Sequence, residues 1–335
     1  MLKTIFRWVG RILAVVVVLV VAFVGYFAAT WQPTFPDTPL PAIEASDDPE
    51  VIARGDYLFN AVAHCSACHS PMDDYLAAKS GELVVPKGGH AWRMGPLGTI
   101  RSANITPDEA TGIGNYSDAE LARAIRHGVA KDGTGALFMM SVGPMSDEDL
   151  TALVSYMKTI EPVSNEVPAS EIGIMGKVLF QTAMDFFSHP HDYGPVMPPY
   201  VPEGDTPSIE RGKYLANGPA FCAGCHNQIE AKDGQVAFVG PTLAGRVDPD
   251  FPDETEEGFT FVAPNLTPHA SGIMNGWTRE QFVKRFRNGR AYAGSPMPWE
   301  TYRNMTDADL ESVYMYLTSL EGVDNTVGPS RQEKK

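Results

Sequence analysis

Two copies of one five-residue pattern carry the chemistry of this sequence: Cys65-Ser66-Ala67-Cys68-His69 and Cys222-Ala223-Gly224-Cys225-His226. Two thiols at this spacing can add to the two vinyl groups of one haem, and the histidine directly after the second cysteine is placed to ligate the iron. The patterns therefore assign two covalently bound haem c groups, attached through Cys65, Cys68, Cys222 and Cys225, with His69 and His226 as proximal iron ligands. A redox CxxC pair, a split zinc site and two disulfides are the competing uses of such cysteines. The chain has 4 Cys and both patterns consume them all, which argues against each alternative.

The sixth ligand decides what such a haem does, because an open iron binds small molecules whereas a second protein ligand makes an electron carrier. Gly294-Ser295-Pro296-Met297-Pro298-Trp299 sets a methionine between two prolines, eight residues before Met305, where a stiff loop would present a thioether to the iron. The corresponding stretch earlier in the chain is Gly135-Ala136-Leu137-Phe138-Met139-Met140-Ser141, shorter and without flanking prolines. Met140 is assigned there, with Met139 as the close alternative and His64, His90 or His127 as possible replacements. Met145 and Met305 occupy matching places and are expected in the core, since methionine is a common gap filler. His189 and His191 form a short pair that specifies little on its own.

The elements that must position these groups form an internal repeat. Arg54-Gly55-Asp56-Tyr57-Leu58 lies eleven residues before Cys65, and Arg211-Gly212-Lys213-Tyr214-Leu215 lies eleven before Cys222. Asn104-Ile105-Thr106-Pro107 through Ile113 matches Asn265-Leu266-Thr267-Pro268 through Ile273, and the placement of these Asn-x-Thr triplets favours a structural turn over a glycosylation site. Ser117-Asp118-Ala119-Glu120 and Thr278-Arg279-Glu280-Gln281 are capping-box openings, predicting helices to Gly128 and Gly289. The last helices open at Met145-Ser146-Asp147 and Met305-Thr306-Asp307. The repeat predicts two homologous, mostly α-helical domains, 46–161 and 206–322, followed by a polar tail, 323–335.

Before the repeat, Ile12 to Ala29 is an uncharged run of 18 residues, about 27 Å as a helix and close to the thickness of a bilayer core. Lys3, Arg7 and Arg11 precede it, which places the N-terminus in the cytoplasm and the remainder outside. Residues 1–30 are thus expected to be an uncleaved single-pass transmembrane anchor, the alternative being a signal peptide, and Pro-rich residues 31–45 an extended tether. Residues 162–205 are an interdomain linker, in which Ile172 to Phe187 predicts an amphipathic helix that packs between the domains, lies on the membrane or meets a partner. Covalent haem attachment requires the export side of the membrane, in agreement with this orientation. The net charge of −15 excludes nucleic acid as a natural partner, and 44% hydrophobic with 20% charged residues is a globular composition.

The CxxCH units, the Asn-Ile/Leu-Thr-Pro stretches, the methionine loops and the Met-Ser/Thr-Asp helices resemble the tandem cytochrome c domains of bacterial membrane-anchored c-type cytochromes, notably the cytochrome subunits of periplasmic alcohol and sugar dehydrogenases. The resemblance extends from about residue 50 to 322. It implies the cytochrome c fold in both domains, His/Met ligation, and a carrier in the bacterial inner membrane that takes electrons in the periplasm from a substrate dehydrogenase toward a terminal oxidase or quinone. Those subunits typically hold three haems, whereas this chain has two units and an N-terminal anchor. The competing function is a dihaem enzyme of the peroxidase or thiosulfate-oxidising type, supported by the weak loop at Met140. Neither a Gly-rich phosphate loop nor a Rossmann fingerprint nor a catalytic triad is present, so no catalytic residue is assigned.

Overall fold

The computed structural model describes residues 2–31, 34–78, 82–135, 144–182, 190, 196–197, 206–232, 235–253 and 255–334. The chain starts with α1 (Leu2–Ala29), exposed from Ile5 to Phe23. Within it, Ile5–Ala29 has a mean hydropathy of 2.9 and is, among the described residues, the one helix long and apolar enough to cross a membrane. The described proline-rich residues that follow, 34–45, include a turn at 36–38 and lie along the first half of the molecule. The Phe35 amide donates to the Gly133 carbonyl at 2.7 Å, and Ile43 is 4% exposed.

In the first half, α2 (Pro49–Tyr57) starts at the Asp48 cap with proline at its first position, and it continues through a π turn, Leu58–Val62, into α3 (Cys65–His69) and α4 (Met72–Ala77). Strands β1 (Ala91–Arg93) and β2 (Gly98–Arg101) come next, then α5 (Asp118–His127) and α6 (Asp147–Met157). The short β3 (Glu171–Ile172) returns to pair with β2 and leads into α7 (Ile174–Leu179).

The second half repeats much of this order. It comprises α8 (Ile209–Asn217), α9 (Cys222–His226), a β4–β5 hairpin (Gln228–Lys232 and Gln235–Val239), β6 (Arg246–Pro252), β7 (Phe259–Ala263), α10 (Arg279–Arg287), α11 (Trp299–Tyr302) and α12 (Asp307–Ser319). The last strand, β8 (Arg331–Glu333), pairs with β7, so the tail expected to be merely polar closes a sheet.

Both predicted capping boxes form. Ser117 accepts from the Glu120 amide while Glu120 accepts from the Ser117 amide, and Thr278 and Gln281 do the same. Both Asn turns form as well: Asn104 Oδ1 takes the amide and hydroxyl of Thr106 at 3.0 and 2.8 Å, and Asn265 takes those of Thr267 at 2.9 and 2.8 Å. Asn104 and Asn265 are 3% and 1% exposed, so neither presents a glycosylation site.

Two expectations change. The chain is mixed rather than mostly α, because β1–β2–β3 and β6–β7–β8 form matching three-stranded antiparallel sheets and β4–β5 a separate hairpin. Of the helix predicted over Ile172 to Phe187, to pack between the domains, lie on the membrane or meet a partner, α7 forms and packs against the end of α1, while residues 183–187 lie outside the described residues. Gln181 Nε2 donates to the Phe27 carbonyl at 3.0 Å, and the Phe180 and Trp31 rings lie 6.2 Å apart. His189 and His191 lie outside the described residues.

Each half is built on a close helix crossing, α2 on α6 and α8 on α12. Glycine makes both possible: a Cβ at Gly55 would sit 1.9 Å from the Ala152 carbonyl oxygen, and one at Gly212 1.9 Å from that of Ser312. Arg54 spans the first crossing with a bidentate pair to Asp149, both bonds at 2.8 Å, and Arg211 pairs with Asp309 at the second. Tyrosines then cross between halves, since Tyr214 Oη donates to Asp149 Oδ2 at 2.6 Å and Tyr57 Oη donates to Asp309. One apolar cluster runs through both halves, with Phe59, Leu150 and Leu153 on one side and Leu215, Leu310 and Leu317 on the other. Met145 and Met305 are both buried in it, at 1% and 3% exposed.

Gly55→Ala and Gly212→Ala should each force the crossing helices apart. The expected loss is roughly 3 kcal/mol, the upper end for overpacking, measured by urea unfolding of the full chain in detergent.

Candidate haem-attachment sites

Each CxxCH pattern folds as a single helical turn, α3 or α9, entered through a residue in left-handed conformation: His64 with φ 46° and Phe221 with φ 48°. A non-glycine residue held there signals a site whose surroundings fix it against its own preference. The turn places both cysteines and the histidine on one short element, and the following loop closes back on it. The Gly88 amide donates to the His69 carbonyl at 2.7 Å, and the Gly245 amide to that of His226 at 2.8 Å. Both glycines have positive φ, and a Cβ on either would lie within 2.6 Å of the Asn-turn backbone, so the loop approaches as closely as glycine permits.

The histidines are locked identically. His69 Nδ1 lies 2.8 Å from the Ala103 carbonyl oxygen and His226 Nδ1 lies 2.9 Å from that of Pro264. A carbonyl only accepts, so the proton sits on Nδ1 and the lone pair remains on Nε2, the arrangement of a histidine oriented to bind a metal. The carbonyl in each case belongs to the residue just before the Asn turn. Burial depresses the pKa of both histidines, that of His226 to about 4, which keeps the imidazole neutral and its lone pair available.

The thiols behave oppositely to those of a redox pair, which are held below the usual thiol range. Burial, with the charge of a neighbouring thiol second, pushes Cys65 and Cys222 up to about 12 and Cys68 to about 11, and burial raises Cys225. The four cysteines form no disulfide. Among the described residues no group of three or more His, Cys, Asp or Glu converges. Paired neutral thiols beside an oriented imidazole are the donor set that covalent haem requires, and the residues present fit it.

The distal side is less complete. Met297 packs against the core of the second half, with its carbonyl accepting from the Trp299 amide at 2.8 Å and from Arg290 Nη2 at 3.2 Å. Met139 and Met140 lie outside the described residues. Of the alternative histidines, His64 enters α3, His90 is buried edge-on to Trp92 at 4.2 Å between ring centroids, and His127 ends α5.

The sequence displayed the Arg-Gly-x-Tyr-Leu repeats only as register marks, and their partners emerge in three dimensions. The carbonyls of Ala103 and Pro264 were not foreseeable from side-chain types at all. Tyr302, described below, was missed, although its position in the methionine loop region was a usable signal.

Comparison with known proteins agrees with this geometry. Residues 50–157 match the family described as cytochrome c oxidase, cbb3-type, subunit III. The chain carries a cytochrome c domain. It is 30% identical over 295 residues to the cytochrome c subunit of the quinone alcohol dehydrogenase of Gluconacetobacter polyoxogenes, covering 84% of this chain and 58% of that protein. It is also 30% identical over 289 residues to the gluconate 2-dehydrogenase cytochrome c subunit of Pantoea cypripedii, covering 82% and 60%. A dihaem c-type cytochrome of Cereibacter sphaeroides is 26% identical over 304 residues, covering 83% and 90%. This cytochrome thus spans somewhat under two thirds of the length of the dehydrogenase subunits it matches. The relatives' names are those of cytochromes and cytochrome subunits, in keeping with a carrier and not an enzyme.

Replacing Cys65 and Cys68 together by serine should halve the haem bound per polypeptide, as should replacing Cys222 and Cys225. The pyridine haemochrome spectrum against protein mass measures it, and full haem content in either variant would remove that pattern as a site.

Proposed function

We propose that this chain is a membrane-anchored dihaem cytochrome c of the bacterial inner membrane, with its cytochrome c domains, 46–161 and 206–322, in the periplasm. It receives electrons from a substrate dehydrogenase and passes them toward a terminal oxidase or quinone. The observation that carries this reading is the identical locking of His69 and His226 through Nδ1, which leaves Nε2 of both, in two distant parts of the chain, suited to the same proximal role. The names of the alcohol and gluconate dehydrogenase subunits support the donor class.

Bound haem supplies reversible one-electron chemistry at its iron. The chain's own part is to hold and tune it. Cys65 and Cys68 hold the first group and Cys222 and Cys225 the second, while His69 and His226 present Nε2 from orientations fixed by Ala103 and Pro264. Met140 and Met297 would complete the ligand sets, which would raise the potential and close the iron to peroxide and other small ligands. No proton need move, since both imidazoles hold theirs on Nδ1 against a main-chain carbonyl.

Met140→Ala and Met297→Ala should each abolish the methionine-to-iron charge-transfer band of one ferric haem and leave the other intact. A parent protein lacking that band at one haem, together with turnover of peroxide, would replace the carrier by an enzyme. Gentle extraction from native membranes, followed by mass spectrometry, should recover a quinoprotein or flavoprotein dehydrogenase with the chain. Recovery of an oxidase alone would make it a general carrier between respiratory complexes.

A further inference from the structure

Three consecutive residues at the end of α11 reach from the second half into the first. Thr301 Oγ1 lies 3.1 Å from Tyr75 Oη, Arg303 donates to the Ala78 carbonyl, and Tyr302 sits between them, 6% exposed. Its hydroxyl donates to the Ala220 carbonyl at 2.6 Å and lies 3.4 Å from His64 Nδ1. The Tyr302 ring meets that of His64 edge-on, with centroids 5.8 Å apart. Ala220 stands two residues before Cys222, and His64 stands one before Cys65. One hydroxyl therefore touches the entry to both CxxCH turns.

The surroundings place the two sites close on either side of it. Burial, followed by Cys222 and Cys225 of one pattern and, after Tyr75, by Cys68 of the other, pushes the Tyr302 hydroxyl far above its ordinary range. The block that carries Tyr302 also begins at Met297. The carbonyl of Met297 is held by Arg290, which forms a buried ion pair with Glu300 of α11, at 2.9 and 2.6 Å. The element presenting the proposed second-site ligand is thus continuous with the element gripping the first attachment loop. The repeat does not supply a second copy, because the residue three before Met145 is Val142 where Tyr302 stands three before Met305.

We infer that Tyr302 is a positioning residue that ties the two attachment loops together and carries the electronic contact between the haems held there, an inference that rests on the dihaem reading. In that exchange one electron leaves the ferrous iron of one site and reduces the ferric iron of the other. Tyr302 remains neutral and un-oxidised throughout, its proton staying on Oη and directed at the Ala220 carbonyl. Its ring and hydroxyl provide a bonded route where two separately packed loops would leave a gap.

The test uses the full-length chain in detergent. The pyridine haemochrome count comes first: one haem per chain would remove the dihaem reading and this inference with it. With two haems present, pulse reduction followed by transient absorption gives the rate at which the electron equilibrates between them, and a spectroscopic redox titration gives the two potentials. Tyr302→Phe removes the hydroxyl and retains the ring, and it should slow equilibration roughly tenfold, about 1.4 kcal/mol of barrier, with potentials and methionine bands unchanged. Tyr75→Phe breaks a neighbouring bond across the same seam and should leave the parent rate. A parent rate in Tyr302→Phe, equal slowing in Tyr75→Phe, or slowing accounted for by shifted potentials would each overturn the inference.

Discussion

The structure depends on two buried aspartates, each completed from both halves of the molecule. Asp149 takes a guanidinium from Arg54 in its own half and a hydroxyl from Tyr214 in the other, and Asp309 takes Arg211 and Tyr57 in the reciprocal manner. A buried ion pair is stable only when its remaining lone pairs are also satisfied, and here neither half can do that alone. The reciprocity fixes the relation of the halves at four side chains instead of leaving it to apolar contact. It also explains why both CxxCH turns face the same seam, because α2 and α8, which carry the arginines and tyrosines, run directly into them.

From the seam outward, constraints pass along the backbone. Asn104 holds its own turn and donates to the Val163 carbonyl at 2.8 Å, and Asn265 does the same to Val323. Each turn fixes the carbonyl just before it, Ala103 or Pro264, and that carbonyl fixes a histidine ring. The segments beyond the last helices are thereby drawn in: residues after α6 and after α12 run past the Asn turn and then add β3 or β8 to the edge of a sheet. An imidazole is thus oriented by main chain anchored at three places, and side-chain variation around it has little leverage on its direction.

What the sequence revealed follows from how local each signal is. The CxxCH units, both capping boxes and the Asn turns are legible because the residues concerned lie within a few positions of each other. The sheets escaped because β2 has four residues and its partner Glu171 lies some seventy residues on, opposite Thr99, with no local sign of the pairing. The β4–β5 hairpin did carry a local sign, Asp233-Gly234 between strands in which Lys232 pairs with Gln235, and it was overlooked. Tyr57 was visible as part of a repeat, yet its acceptor is 252 residues away. The carbonyls that orient the histidines belong to an alanine and a proline, whose side chains report nothing of that task.

The grip of Gln181 on the end of α1 bears on how the molecule meets others. Gln181 Nε2 holds the Phe27 carbonyl while Thr30 Oγ1 donates to Gln181 Oε1 at 3.0 Å, and Phe180 is fully buried beside Trp31. A globular head on a loose leash samples every orientation over the surface that holds it, and most of its collisions present the wrong face. Clasped at the neck, this head turns with its stalk. With α1 set in a membrane, only rotation about the stalk and travel in the membrane plane would remain, and the search for a partner would be two-dimensional and always at the same height.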